Sequence, residues 1–204
     1  MANHRNLNEM RKLRVSFRQE RRLSKNPDLV VATKGASMIY TTAAGLASIL
    51  SFIVFSMMAA WYVVPWLKSR SRADALTALL WVQAFRYIAL QIFSAQKFGF
   101  AVSDGARDQI AAGDVIGAIL AISAIIALRY KARISVGLTW LFAAETAFDL
   151  VNSTIAGVNE HLFETTAALT WLILTFYVPI LWISLGLIVW KLLSYRNEPE
   201  ATSA

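Results

Sequence analysis

The segment LFAAETAFDLVNS, residues 141–153, sets Glu145, Asp149 and Asn152 in the middle of an otherwise apolar stretch. Their spacing of i, i+4 and i+7 puts all three on one face of a helix. Carboxylates on neighbouring turns can act as general acid and base, hold a cation, or pair with a buried base. Arg86 is the natural partner. It is the one charge between Asp74 and Lys97, and Gln83, Tyr87 and Gln91 lie on the same broad helical face. Depth supports the pairing: Arg86 and Glu145 each stand eleven residues into their expected helices, ~16 Å from the same face and near a bilayer midplane. Gln91 and Asp149 match about one turn deeper. Asp114, reaching in from the opposite face, comes close to the level of Asn152. Glu145 is therefore expected to meet Arg86. Asp149 is left to hold a proton or find another partner, because one guanidinium cannot neutralise two carboxylates.

Each of these residues has a plainer reading. A buried arginine–carboxylate pair can simply set the register of a bundle. Asp114, near an expected helix start, can cap free backbone N–H groups. Thr170, Tyr177 and Ser184 recur every seven residues as a polar stripe, suited to hydrogen bonding between helices more than to catalysis. Gly113, Gly117 and Ala121 recur every four residues, a small-residue stripe that lets helices approach closely.

Several chemistries are excluded or disfavoured. The chain has no cysteine, so disulfides, thiolate metal sites and a cysteine nucleophile are absent. Its two histidines, His4 and His161, fall in the N-terminal tail and a loop, which argues against a haem or a di-iron carboxylate site between helices. Glu145 and Asp149 alone are a poor metal site, and none is expected. No catalytic triad order, phosphate-cradling loop or dinucleotide fingerprint occurs, and no cofactor is identified.

The elements that must position the polar residues are helices in a membrane. Of 204 residues, 57% are hydrophobic, with a mean hydropathy of +0.50. No charge occurs between Lys34 and Lys68 or between Glu164 and Lys191, and each gap exceeds the roughly 20 apolar residues that cross a bilayer as a helix. The fold class is all-α, an integral membrane bundle of about five spans: 38–66, 75–96, 110–128, 134–157 and 165–193. The first apolar run lies far from Met1 and is long for a signal-peptide core, so it reads as a retained helix. Pro65 and the basic KSRSR sequence are expected to stop the first span, and Pro179 to kink the fifth.

Residues 1–37 form a basic arm, 38–196 the bundle and 197–204 a polar tail. The arm carries nine Lys or Arg against three acids, with Leu7, Met10, Leu13 and Phe17 on one side of a helical wheel. That pattern suits an amphipathic helix on anionic lipid headgroups, or a solvated arm. Nucleic acid is not an expected partner, because the basic residues sit in the tail and short loops.

Loops 67–74 and 129–133 hold three basic residues each, against two and none in the loops on the other side. The positive-inside rule puts these basic loops and the C-terminus in the cytoplasm, and so the arm outside, in conflict with the arm's own charge. The expected setting is a bacterial inner or plasma membrane. The expected function is a non-enzymatic small-molecule binder or accessory subunit of a membrane complex, with Glu145 and Asp149 as anchors and Tyr87 and Trp140 as walls. Alternatives are an enzyme on a lipophilic substrate with Glu145 or Asp149 as acid or base, and a small transporter or proton-coupled channel. Partners are the bilayer, other membrane subunits or a lipophilic ligand.

Overall fold

A computed structural model describes residues 27–162 and 168–194, with side chains from residue 43 onward except at 168. The amphipathic part of the basic arm lies outside these residues. Among the described residues there are helices and short connections, with no strand. Five rods follow one another. α1, residues 27–68, comprises Pro27–Met58, a wide π turn Ala59–Val63 and Val64–Lys68. α2 is Arg72–Lys97, α3 is Asp104–Arg129 and α4 is Ser135–Asn159. α5, residues 168–194, comprises Ala168–Leu172, a π turn Ile173–Tyr177 and Val178–Ser194. Four stretches, Ala43–Lys68, α2, α3 and Leu169–Ser194, are long and apolar enough to cross a membrane. α4, which carries Glu145, Asp149 and Asn152, is not among them.

The two π turns have a common cause. A proline ring collides with the carbonyl four residues back and offers no N–H to it. In α1 the Val64 N–H, just before Pro65, reaches back five residues to the Ala59 carbonyl. In α5 the Val178 N–H, just before Pro179, does the same to Ile173. Widening the turn moves the clashing carbonyl aside, so both helices continue. Pro65 thus does not end α1, contrary to expectation; the helix runs on to Lys68.

The other boundaries follow from capping. Ser71 starts α2 by accepting from the Asp74 N–H while its hydroxyl donates to the Asp74 carboxylate. Ser103 starts α3 by accepting from the Ala106 N–H at 3.3 Å, so the helix begins six residues earlier than expected. Asp114 consequently lies well inside α3 and does not cap its start. α2, α3 and α4 end alike, with Gly99, Lys131 and His161 at positive φ. In each case the N–H of the next residue returns to a carbonyl five back, in Ala95, Ala127 and Gly157 respectively.

At one end of the bundle, cations meet helix C-termini. Lys191 Nζ donates to the Leu67 carbonyl at 3.2 Å, and Arg72 Nη2 to the Leu192 carbonyl at 3.4 Å, which sets positive charge at the negative ends of two helices. At the other end Glu160 accepts from the Ser103 backbone N–H at 3.0 Å and from its hydroxyl at 2.5 Å, latching the α4 terminus to the start of α3. Those two bonds hold the exposed Glu160 carboxyl below its ordinary range, the hydroxyl having the larger effect.

The interior is built by α2, α3, α4 and α5. One buried cluster, including Leu76, Leu80, Ala124, Phe142 and Ile188, fills the basic end. A second, including Ile92, Phe100, Ala111 and Leu162, fills the other. α1 contributes little to either and packs mainly on α5, where Phe55 meets Phe176 edge to face with ring centroids 4.8 Å apart. Most of its large side chains, such as Ile49, Leu50, Ile53 and Val54, are exposed.

Candidate functional site

Between the two apolar clusters lies a charged layer. Arg86 is the fifteenth of 26 residues in α2 and Asp114 the eleventh of 26 in α3. Asp149 is the fifteenth of 25 in α4. All three therefore sit near the middle of their rods. The Arg86 side chain is fully buried, the largest such side chain in the bundle. Its Nε donates to Asp114 Oδ1 at 2.8 Å, its Nη1 to Thr146 Oγ1 at 3.0 Å, and its Nη2 to Asp149 Oδ2. Each nitrogen of the guanidinium has a partner, and two of the three partners are carboxylates. This is the arrangement a buried arginine requires, since an unpaired charge in so apolar an interior costs several kcal/mol.

The pairing corrects the expectation. Arg86 binds Asp149 and Asp114, whereas Glu145 is only half-buried and accepts from Thr146 Oγ1 at 3.3 Å. Asn152 does not join the network either; its amide donates to the Phe148 carbonyl on its own helix. The site thus involves α2, α3 and α4, not α2 and α4 alone.

The winding of α2 explains part of the difference. Residues Phe85–Leu90 form a tight 3-10 turn within the rod. There the repeat is three residues per turn, and Gln83, Arg86, Ala89, Ile92 and Ala95 are buried in succession. Tyr87, expected on the Arg86 face, is rotated outward and more than half exposed, at 52%. Trp140 is also exposed, at 40%, and neither of the two expected aromatic walls lines the cavity beside the site.

α3 makes room for the ion pairs. A Cβ added at Gly113 would fall on the Asp149 carboxylate. At Gly117 it would lie 2.9 Å from Arg86 Cζ and 3.2 Å from Glu145 Oε2. The small-residue stripe therefore serves a purpose beyond helix packing: its glycines form the slot that holds the guanidinium and its carboxylate. Only Ala121, further along, is an ordinary buried packing residue.

The α5 polar stripe faces the other side of α2. Gln83 Nε2 donates to the Leu181 carbonyl at 3.0 Å and to Ser184 Oγ at 2.7 Å. Tyr177 donates its hydroxyl to the Val82 carbonyl at 3.1 Å, and Gln91 Nε2 donates to Thr170 Oγ1 at 3.1 Å. All three stripe residues bond to α2, as hydrogen bonding between helices predicts.

Beside the charged layer is a cavity of about 210 Å³ bounded by all five rods. Arg86, Asp114 and Asp149 reach its wall, with Gln91, Ser153 and Thr170 as further polar groups. Most of the lining is apolar, and Phe52, Tyr177 and Trp182 supply the aromatic surface. Glu145 and Asn152 are not on this wall. Among the described residues no group of three His, Cys, Asp or Glu is placed to hold a metal.

The fold and the site define an all-helical bundle with four helices suited to a membrane and a buried arginine–carboxylate layer beside an internal cavity. The chain belongs to the family described as Domain of unknown function (DUF8737), whose model matches residues 43–193. That stretch holds the bundle and the whole charged layer. Comparison with curated proteins finds no match, and comparison with solved structures finds none.

Proposed function

We propose that this protein is a multi-pass membrane protein of five spans that binds a small lipophilic molecule within its bundle. The observation that carries this reading is the cavity of about 210 Å³, whose mostly apolar wall is interrupted by Arg86, Asp114 and Asp149. Apolar walls with a few convergent polar groups are the usual form of a small-molecule site. Helices packed only for stability would fill such a space with side chains. The anchors in this reading are Asp114 and Asp149, and the walls are Phe52, Tyr177 and Trp182. α4 counts as a span because its polar residues Asp149 and Thr146 face the interior while Phe148, Val151 and Ile155 face outward. The membrane is a plasma membrane with the basic turns 69–71 and 130–134 on the cytoplasmic side.

Two measurements test this. The natural chain lacks cysteine, so single cysteines placed at Tyr130 and Phe98 report topology without background. Membrane-impermeant maleimide should label them from opposite sides of the membrane; labelling of both from one side overturns the spanning arrangement. Native mass spectrometry of protein extracted in mild detergent should then show a small molecule retained by the natural chain. The cavity-filling variant Ile173→Trp, if folded, should lose it. Equal retention by both would remove the cavity as the binding site.

A further inference from the structure

We infer that the ligand of this cavity is a lipophilic cation of the alkylammonium type, its charged head held by Asp114 and Asp149 and its chain lying along the apolar wall. The inference rests on the binding role proposed above and adds to it the charge of the ligand. Its basis is a count of charges in the middle of the bundle. Between Asp74 and Lys97, α2 carries only Arg86, and between Asp108 and Arg129, α3 carries only Asp114. α4 carries Glu145 and Asp149, and α5 carries no charge between residues 169 and 190. Three carboxylates thus share one guanidinium. Two of them bond to it directly, and the third lies across Gly117 from it.

Geometry says where a second positive charge belongs. Arg86 takes one oxygen from each aspartate, Oδ1 of Asp114 and Oδ2 of Asp149. A carboxylate can accept about four hydrogen bonds, so both retain acceptor capacity toward the cavity they line. Among the described residues Asp149 Oδ1 has only a long bond of 3.4 Å, from the Ser153 hydroxyl. Each Arg86 nitrogen already donates to a neighbour, three of its five N–H groups being used, so three carboxylates and one cation leave the wall short of positive charge and rich in acceptors. An anionic ligand would enlarge the excess of negative charge in a medium where that is costly. A bare metal ion would need several converging oxygens, and no three acidic or histidine side chains converge among the described residues. An ammonium group supplies one charge and up to three donors, and Phe52, Tyr177 and Trp182 suit a cation that carries an apolar chain.

The test uses the full-length protein in nanodiscs of zwitterionic phospholipid and three probes of equal chain length: decylammonium, decanol and decyl sulfate. The readout is the saturable rise in unfolding temperature. Decylammonium should half-saturate at a concentration about tenfold or more below that of decanol, a ratio in the range of one charge-assisted hydrogen bond, and decyl sulfate should give no saturable rise. Asp114→Asn, which leaves Arg86 matched by Asp149, should abolish the preference for decylammonium over decanol. Ile110→Phe, which fills the cavity without changing charge, should weaken both probes together. Equal affinity for decanol and decylammonium, or preference for decyl sulfate, overturns the cationic ligand while leaving the cavity a binding site. Saturable binding of none of the three overturns both readings. The comparison of probes on the natural chain stands even if a variant fails to fold.

Discussion

α2 makes polar contacts on two sides, and the two differ in kind. Toward α3 and α4 it presents one buried guanidinium, matched by two aspartates and a threonine in a slot cut by glycines. Toward α5 it presents amides and a carbonyl, matched by Ser184, Tyr177 and Thr170. Both seams lie in apolar surroundings, yet the consequence of losing a partner is different. A broken neutral bond leaves a dipole, which can turn to a neighbour. A broken ion pair leaves a charge, which must be hydrated, neutralised or expelled. The charged seam also stands beside the cavity with more acid than base, which suits binding as well as stability. The neutral seam involves no net charge, and its Gln91, Thr170 and Tyr177 also line the cavity.

The largest effect should come from Arg86→Met. It leaves Asp114, Asp149 and Glu145 with no cation in the bundle interior and should cost about 3–5 kcal/mol, read as lost folded protein in denaturant titration. Adding Asp114→Asn and Asp149→Asn to it should recover a large part of that loss. A single Arg86→Met variant as stable as the natural chain would erase the distinction between the seams.

Gly113→Ala comes next, at about 1–3 kcal/mol. The new methyl would meet the Asp149 carboxylate, which cannot step aside without leaving Arg86. No loss of stability in the same titration would mean that the slot has room for a methyl group beside Asp149.

Gln83→Leu should cost less, about 1 kcal/mol or below, although it removes two hydrogen bonds. Ser184 keeps its bond to the Leu181 carbonyl at 3.1 Å, and the substitution also removes the buried Gln83 Oε1, which has no partner among the described residues. A loss as large as that of Arg86→Met would show that the neutral seam is the stronger of the two.

The smallest effect belongs to the Glu160 latch, outside both seams. Its carboxyl is held below the ordinary value of 4.5 by the Ser103 hydroxyl and backbone N–H. A lowered value in the folded state means stability that is present above pH 4.5 and lost as the pH falls through the folded value. Between pH 6 and pH 3 the natural chain should therefore lose slightly more thermal stability than Glu160→Gln. A steeper acid loss in the variant would contradict the latch.

The helices were legible in the sequence because apolar runs of bilayer length have few alternatives. The α5 stripe was equally legible: Thr170, Tyr177 and Ser184 repeat at seven, and a repeat is a property of the chain. The charged residues Arg86, Asp114, Glu145 and Asp149 announced themselves by standing in apolar segments. Their pairing did not. Depth counting assumed helices of constant pitch that start where the apolar run starts. α3 begins earlier because Ser103 caps it, and a 3-10 turn at Phe85–Leu90 tightens α2, and nothing in the local sequence requires that turn.

Composition and periodicity thus pointed to an all-helical chain of about five apolar segments, of which four are helices long and apolar enough for a membrane, with charges of both signs at its centre. Which carboxylates hold Arg86 was decided by tertiary structure alone. The choice depends on where Gly113 and Gly117 leave space, and on how far one turn of α2 rotates its neighbours. Those are distances between helices, set by close packing, and a single chain read in one dimension does not contain them.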